Sequence, residues 1–194
     1  MILDFLYIPL FIILAIQFPK LLLEEKEWNY YPILKKLALF HFLIGLSYFF
    51  FTRNGGGDAW GYWVSAKNMD YLQFIKDVSG GEGTEFMRAF NYIPANILGM
   101  SFLSNTMFYS LLGFFGITYF FLIAVRTIPY NKIIYGYVLF PLIFFLPNLH
   151  FWSSGVGKDT ILFLCIGMFV YGLMKPAQRI PLIVIAGLLS MAIR

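Results

Sequence analysis

Charge is scarce in this chain. Only 12% of its 194 residues are Asp, Glu, Lys or Arg, about half of what a soluble domain carries. There is one cysteine, Cys165, and there are two histidines, His41 and His150. A lone cysteine excludes a disulfide framework and a thiolate metal cluster, and its place inside an apolar run suits a small core residue. No His-x-x-x-His pair and no carboxylate cluster is present, so the sequence implies neither a protein-held metal nor a cofactor. The net charge of +4 comes without any lysine- or arginine-rich tract, and no nucleic-acid partner is expected. A cleaved signal peptide is not expected either. Asp4 is the only early charge, and no small-residue cleavage site follows the first apolar run.

What the chain has instead is apolar length. It is 60% hydrophobic and 21% aromatic, and the excess falls into runs of about 17–22 residues, the length that crosses a bilayer. The short alternating segments of a β-barrel do not dominate. The expected fold is all-α: a polytopic transmembrane helical bundle, forming one integral membrane domain over residues 1–194. About six helices are expected, near 3–23, 37–52, 104–125, 133–147, 160–174 and 180–194. Pro9 and Pro19 are expected kinks in the first. The last run reaches Arg194 with no closing loop, so the sequence reads as the N-terminal part of something longer.

Orientation follows from the basic residues. With the N-terminus outside, Lys20, Lys26, Lys35, Lys36, Arg126, Lys132, Lys175 and Arg179 lie in the cytoplasm. Arg53, Lys67, Lys76, Arg88, Lys158 and Arg194 then lie opposite, diluted over a long loop that counts for less. This makes the loop 53–99 extracytoplasmic. Within it, Trp60, Trp63, Val64, Tyr71, Leu72, Ile75 and Val78 recur at spacings of three and four, as in a helix lying in the interface. The glycines at 80, 81 and 83 break that pattern. Thr84 then reads as the cap of a second short helix ending before Pro94.

Two polar patches interrupt the apolar runs on this same side. The first is Asn54-Gly55-Gly56-Gly57-Asp58-Ala59-Trp60-Gly61-Tyr62-Trp63. Consecutive glycines let backbone N–H groups converge on an anion or approach a ligand closely. Asp58 suits a general base toward a sugar hydroxyl, or a solvated residue on a flexible link. Trp60 and Tyr62 suit sugar stacking, or an interfacial aromatic belt.

The second patch runs from Pro147 through His150, Trp152, Ser153, Ser154, Gly155 and Gly157 to Lys158 and Asp159. It fails as a phosphate-binding P-loop, because Trp152 stands where a glycine is needed and Asp159 where Ser or Thr is needed. Its physics still favours an anion. Ser153, Ser154, Gly155 and Gly157 precede a helix start, whose free N–H groups and dipole attract negative charge. Lys158 adds a full cation there, or snorkels. Asp159 sits in the first turn as a reactive carboxylate or a capping one. His150 is placed to relay a proton, or to bond backbone at the interface. A mere connector needs little of this chemistry.

The segment His150-Phe151-Trp152-Ser153-Ser154-Gly155-Val156-Gly157-Lys158-Asp159 resembles a segment of the Wzy-type bacterial O-antigen and exopolysaccharide polymerases. These are membrane enzymes similar to GT-C glycosyltransferases. Gly57-Asp58-Ala59 followed by Tyr62 resembles the acidic first-loop motif of that wider group. The resemblance covers about residues 50–160. Members of the family are usually about twice as long and have further basic loops. What the resemblance implies is glycosyl transfer outside the bacterial cytoplasmic (inner) membrane. The substrate is a polyprenyl-pyrophosphate-linked glycan, and other polysaccharide-assembly proteins are potential partners. In that reading Asp58, His150 and Asp159 are the catalytic candidates. Lys158, Trp152, Ser153, Ser154, Gly155, Gly157, Trp60 and Tyr62 are the substrate-binding ones. The rival readings are a transporter or flippase for the same lipids and a non-catalytic assembly subunit.

Overall fold

The computed structural model describes residues 3–128, 133–134 and 137–193. Lys132 and Arg194, which enter the orientation argument, lie outside these residues. The described chain is helical apart from turns and one ladder pairing Ile133–Ile134 with Tyr137–Val138.

Helix α1 (Asp4–Gln17) continues through a 3-10 turn, Phe18–Leu21. A second 3-10 turn, Glu25–Tyr30, leads into α2 (Tyr31–Arg53), which starts with a proline where its missing N–H costs nothing. Three short helices follow: α3 (Ala59–Lys67), α4 (Tyr71–Gly80) and α5 (Thr84–Tyr92). A π-turn at Ile93–Ile97 then leads to α6 (Phe102–Thr127). Two side chains open helices by accepting from the third residue on. Asp70 accepts from the Gln73 N–H at 2.7 Å, and Ser101 from the Ser104 N–H at 3.2 Å. After the ladder come α7 (Leu139–Leu142), a 3-10 turn at Ile143–Phe145, α8 (Pro147–Ser153), α9 (Lys158–Leu173) and α10 (Pro176–Ile193).

Among the described residues, four helical segments are long and apolar enough to cross a membrane: Asp4–Leu21, Glu25–Arg53, Phe102–Thr127 and Pro176–Ile193. The pair α8 and α9 passes the same test only together, and counts as a fifth if the 106° bend between them is a break within one span. α6 is the central helix, with 61% of its most apolar window buried against 17% for the first segment and 11% for α10. The outer helices leave Phe5, Leu6, Leu188 and Met191 bare. A soluble domain rarely exposes so continuous an apolar face, whereas hydrocarbon accepts it.

The expected helix over 133–147 is not one helix. Residues 135 and 136 lie outside those described. The rest is divided among the ladder, α7 with its non-helical Phe140, and the turn before Pro147. Pro141 and Pro147 lack the N–H that a continuous helix needs and bias the residue before each toward extended backbone. Phe140 and Leu146 both have ψ near that region, 127° and 118°.

The long segment after α2 also departs from its sequence reading. The single interfacial helix expected over 60–78 is two helices, separated at Asn68–Asp70. Gly83, at φ 60°, takes the N-cap position expected for Thr84.

The helices share two ends. At one, Arg126 clamps Glu27 through two guanidinium bonds of 2.7 Å, donates to the Leu22 carbonyl at 2.9 Å and reaches Tyr171 Oη at 3.1 Å. Lys175 meets Glu24 at 3.1 Å and, with Lys26 and Arg126, holds that carboxyl below the ordinary carboxylate range. These contacts gather the termini of α1, α2, α6, α9 and α10. At the other end, Ser104 bonds Asp4, the Gly83 N–H donates to the Ala192 carbonyl at 3.0 Å, and α3 to α5 cover the bundle. Both polar patches lie at this second end.

Candidate functional site

The site is built where α2 ends, α3 begins and α9 starts. α2 runs out at Arg53, and Gly55 and Gly57 turn the chain with φ of 93° and 70°, values that favour glycine. Asp58 is the residue before α3. Its carbonyl accepts from the Tyr62 N–H at 3.0 Å, and its carboxylate makes no capping bond. The carboxylate is therefore not spent on starting the helix, and the residue is exposed.

The second patch arrives by a different route. α8 crosses the bundle against α2 and α6 at a height set by two glycines. A Cβ on Gly113 of α6 would lie 1.6 Å from the Ser153 carbonyl oxygen, and one on Gly45 of α2 would lie 2.3 Å from Ser110 Oγ. Ser110 Oγ donates to the Ser154 carbonyl at 3.0 Å. The chain next lays Gly155 against the Tyr48 ring, where a Cβ would come within 2.1 Å. Thr160 Oγ1 donates back to the Gly155 carbonyl at 2.6 Å and closes the turn. Lys158 then opens α9 and Asp159 follows in its first turn.

Two of these three glycines, Gly113 and Gly155, yield a prediction. Gly113→Ala drives a methyl group into backbone, not into a side chain that can swing away. Overpacking of this kind costs about 1–3 kcal/mol, and thermal unfolding of the purified protein checks it. Gly155→Ala is expected to displace the Tyr48 ring and alter the cavity described next.

The two patches face each other across one cavity of about 250 Å³. Gly57, Asp58, Ala59 and Tyr62 line it from one side, and Trp152 and the residues from Gly155 to Thr160 from the other. Tyr48 forms a further part of its wall. Three formal charges meet here: the carboxylates of Asp58 and Asp159 and the ammonium of Lys158. Among the described residues no carboxylate pairs with Lys158 within salt-bridge distance. With the first N–H groups of α9 beside it, Lys158 can receive an anion. A second cavity of about 390 Å³ adjoins the first and shares Gly57, Asp58 and Tyr62 with it.

Of the residues picked out in sequence, Asp58, Tyr62, Trp152, Gly155, Gly157, Lys158 and Asp159 line the first cavity. Four do not. Trp60 lies outside it, with Arg53 stacked 4.2 Å above its ring and Phe102 at its edge. Ser153 and Ser154 turn inward and bond the carbonyls of Leu149 and Phe151. Both are buried at the end of α8 and do not line the cavity.

His150 is fully buried and does not face the cavity. Its Nδ1 lies 2.9 Å from His41 Nδ1, and its Nε2 lies 2.6 Å from the Phe144 carbonyl oxygen. A carbonyl only accepts, so Nε2 of His150 carries a hydrogen. In the neutral pair, His150 Nδ1 then accepts and His41 Nδ1 donates. The histidine that sequence placed at the interface is an internal tie between α8 and α2, half a helix below the site. The structure does not bring the expected relay residue His150 to the cavity.

Tyr48, Val156 and Thr160 are lining residues that the sequence did not single out. Tyr48 sits two turns before the glycines on the buried stripe of α2 that also carries His41 and Gly45. That stripe was the available signal. Among the described residues no group of three or more His, Cys, Asp or Glu side chains converges. Comparison with protein-family models, curated proteins and solved structures finds no match.

Proposed function

We propose that this chain is a multi-pass protein of the bacterial cytoplasmic membrane that transfers glycosyl units between polyprenyl-pyrophosphate-linked glycans on the extracytoplasmic face. The observation that carries the reading is the cavity that joins Asp58 to Lys158 at one end of a bundle of apolar helices. An acid–base carboxylate and a cation at a helix start, with Trp152 and Tyr62 beside them, are what such a transfer needs.

The step balances with these groups alone. The acceptor hydroxyl attacks the anomeric carbon of the donor sugar, and its proton passes to the Asp58 carboxylate. The bond from that carbon to the pyrophosphate oxygen breaks, and its electron pair leaves with the pyrophosphate. Lys158 and the first N–H groups of α9 stabilise the negative charge on the leaving group, the electrostatic contribution that usually dominates such sites. Asp159 orients Lys158 or a sugar hydroxyl from the same turn. The six-crossing arrangement belongs to this proposal, with α8 and α9 assigned to two successive crossings.

The direct test supplies the purified protein, in lipid vesicles, with lipid-linked oligosaccharide from the cells that carry it. Growth of the glycan with release of polyprenyl pyrophosphate is expected. A protein that stays folded and binds the lipid but neither elongates nor releases it would return the question to the transporter and assembly readings.

Orientation is tested separately, in a Cys165→Ala background. Cysteines at Glu82 and Trp152, both exposed at the site end, are expected to react with an impermeant thiol reagent from outside the cytoplasmic membrane. A cysteine at Lys26, exposed at the other end, is expected to react only from inside. Labelling with the opposite sidedness would place the cavity in the cytoplasm and remove the reading.

A further inference from the structure

Asp58 stands on the wall between two cavities of different chemistry. The first holds Lys158, a cation without an ion pair among the described residues, beside the start of a 16-residue helix. The second is lined by Gly61, Ser65, Thr84 and Arg88 together with the shared Gly57, Asp58 and Tyr62. Its one cation is already balanced. Arg88 Nη2 lies 3.0 Å from Asp77 Oδ2 and 4.0 Å from Glu85 Oε1, and the Asp77 side chain is 1% exposed. The second cavity thus presents hydroxyls, the Asp58 carboxylate and a tyrosine, with no uncompensated positive charge. It suits a neutral, hydroxyl-rich ligand and disfavours a pyrophosphate.

Two glycines keep these spaces open. A Cβ added to Gly157, in the first cavity, would meet nothing within 4 Å, and the same holds for Gly61 in the second. Neither glycine is there for close packing. Gly157 has φ −178°, an extended conformation that any residue adopts, and Gly61 lies inside α3. What a side chain would occupy at either place is cavity.

We propose that the second cavity is the acceptor subsite, holding the hydroxyl-bearing end of a neutral glycan so that its nucleophilic hydroxyl reaches Asp58 from the side opposite the pyrophosphate. This assignment rests on the glycosyl-transfer reading and adds to it. The donor's leaving group is held by Lys158 in the first cavity, the acceptor enters over α3 and α5, and Asp58 serves both because it borders both. Ser65 and Thr84 are the specificity-determining residues, since their hydroxyls line this cavity and not the first and are open to hydrogen bonds with a sugar.

Filling each cavity in turn tests the assignment. The full chain is purified as wild type, Gly61→Phe and Gly157→Phe. Three quantities are measured: farnesyl diphosphate binding, glycan elongation, and release of polyprenyl pyrophosphate from lipid-linked oligosaccharide to water. Gly61→Phe is expected to lower elongation at least tenfold while farnesyl diphosphate binding and release to water persist. Gly157→Phe is expected to lower all three. Ser65→Ala combined with Thr84→Val, which barely changes size, is expected to raise the acceptor KM severalfold with little change in kcat. It supplies the same answer if a phenylalanine variant fails to fold.

Unchanged elongation in Gly61→Phe, or an unchanged acceptor KM in the double variant, overturns the subsite. So does loss of farnesyl diphosphate binding in Gly61→Phe, because the two cavities would then be one donor site. A folded wild type that shows no binding, elongation or release overturns the transferase reading itself, and is distinguished by failing before any variant is compared.

Discussion

Asp58→Asn and Lys158→Met are each expected to lower the proposed glycan transfer about a hundredfold or more, with the amount of folded protein in the membrane close to that of the wild type. The size follows from what each change removes. Asparagine keeps the volume and most of the hydrogen bonding of aspartate but cannot take the acceptor proton. Methionine keeps the apolar stem of lysine but not the charge that meets the leaving pyrophosphate. Groups that act only as charge develops contribute about 2.7–4 kcal/mol each at preorganised sites, which is about 10²–10³ in rate.

The stability half of the prediction follows from position. Asp58 is exposed, makes no capping bond to α3, and sits after glycines that tolerate movement. Lys158 is only part-buried at the start of α9. Neither belongs to the packed interior. Transfer assays with purified protein, normalised to folded material, read the effect. Near-wild-type transfer by both variants would leave the cavity without a catalytic role and favour an assembly subunit. Loss in Lys158→Met alone, with Asp58→Asn active, would keep anion binding and move the acid–base role to Asp159.

How far the sequence foretold this arrangement depends on the range of the interaction. Apolar length is local, so α1, α2, α6 and α10 fall where the hydropathy places them. The meeting of the two patches followed from parity, because helices that begin and end at common surfaces bring residues 54–63 and 152–160 to one end. The broken stretch over 133–147 defeated the same logic. Its composition is as apolar as a helix requires, but Pro141 and Pro147 remove backbone donors, and α8 enters the bundle obliquely. His150, Ser153 and Ser154 are buried and away from the cavity for that reason. A helix that crosses at mid-height buries residues that a surface loop would expose. Lys158, only a few residues further on, returns to the surface past Gly155, which lies against the Tyr48 ring where no side chain fits.

The two-bond clamp of Arg126 on Glu27 was invisible in sequence, since its partners lie 99 residues apart. Glu27 stands in a charged run with Glu24, Glu25 and Lys26, yet its side chain is only 3% exposed and that of Arg126 11%. Arg126→Leu is expected to destabilise the protein by about 3–5 kcal/mol, because it strands a buried carboxylate and leaves the Leu22 carbonyl and Tyr171 hydroxyl without their donor. Glu27→Leu strands the guanidinium in the same way. Combining the two is expected to recover much of the loss, since an apolar pair of similar volume often replaces a buried ion pair at little cost.

The non-additivity is the diagnostic quantity. It is read from thermal unfolding of the four proteins in one detergent, arranged as a double-mutant cycle. Lys175→Ala, which breaks the solvent-facing bridge to Glu24, provides the contrast and is expected to change little, because exposed pairs are screened. Single variants that unfold with the wild type, or a double variant whose loss is the sum of its parts, would show that Glu27 and Arg126 are not coupled. The end of the bundle opposite the cavity would then be held by helix packing alone.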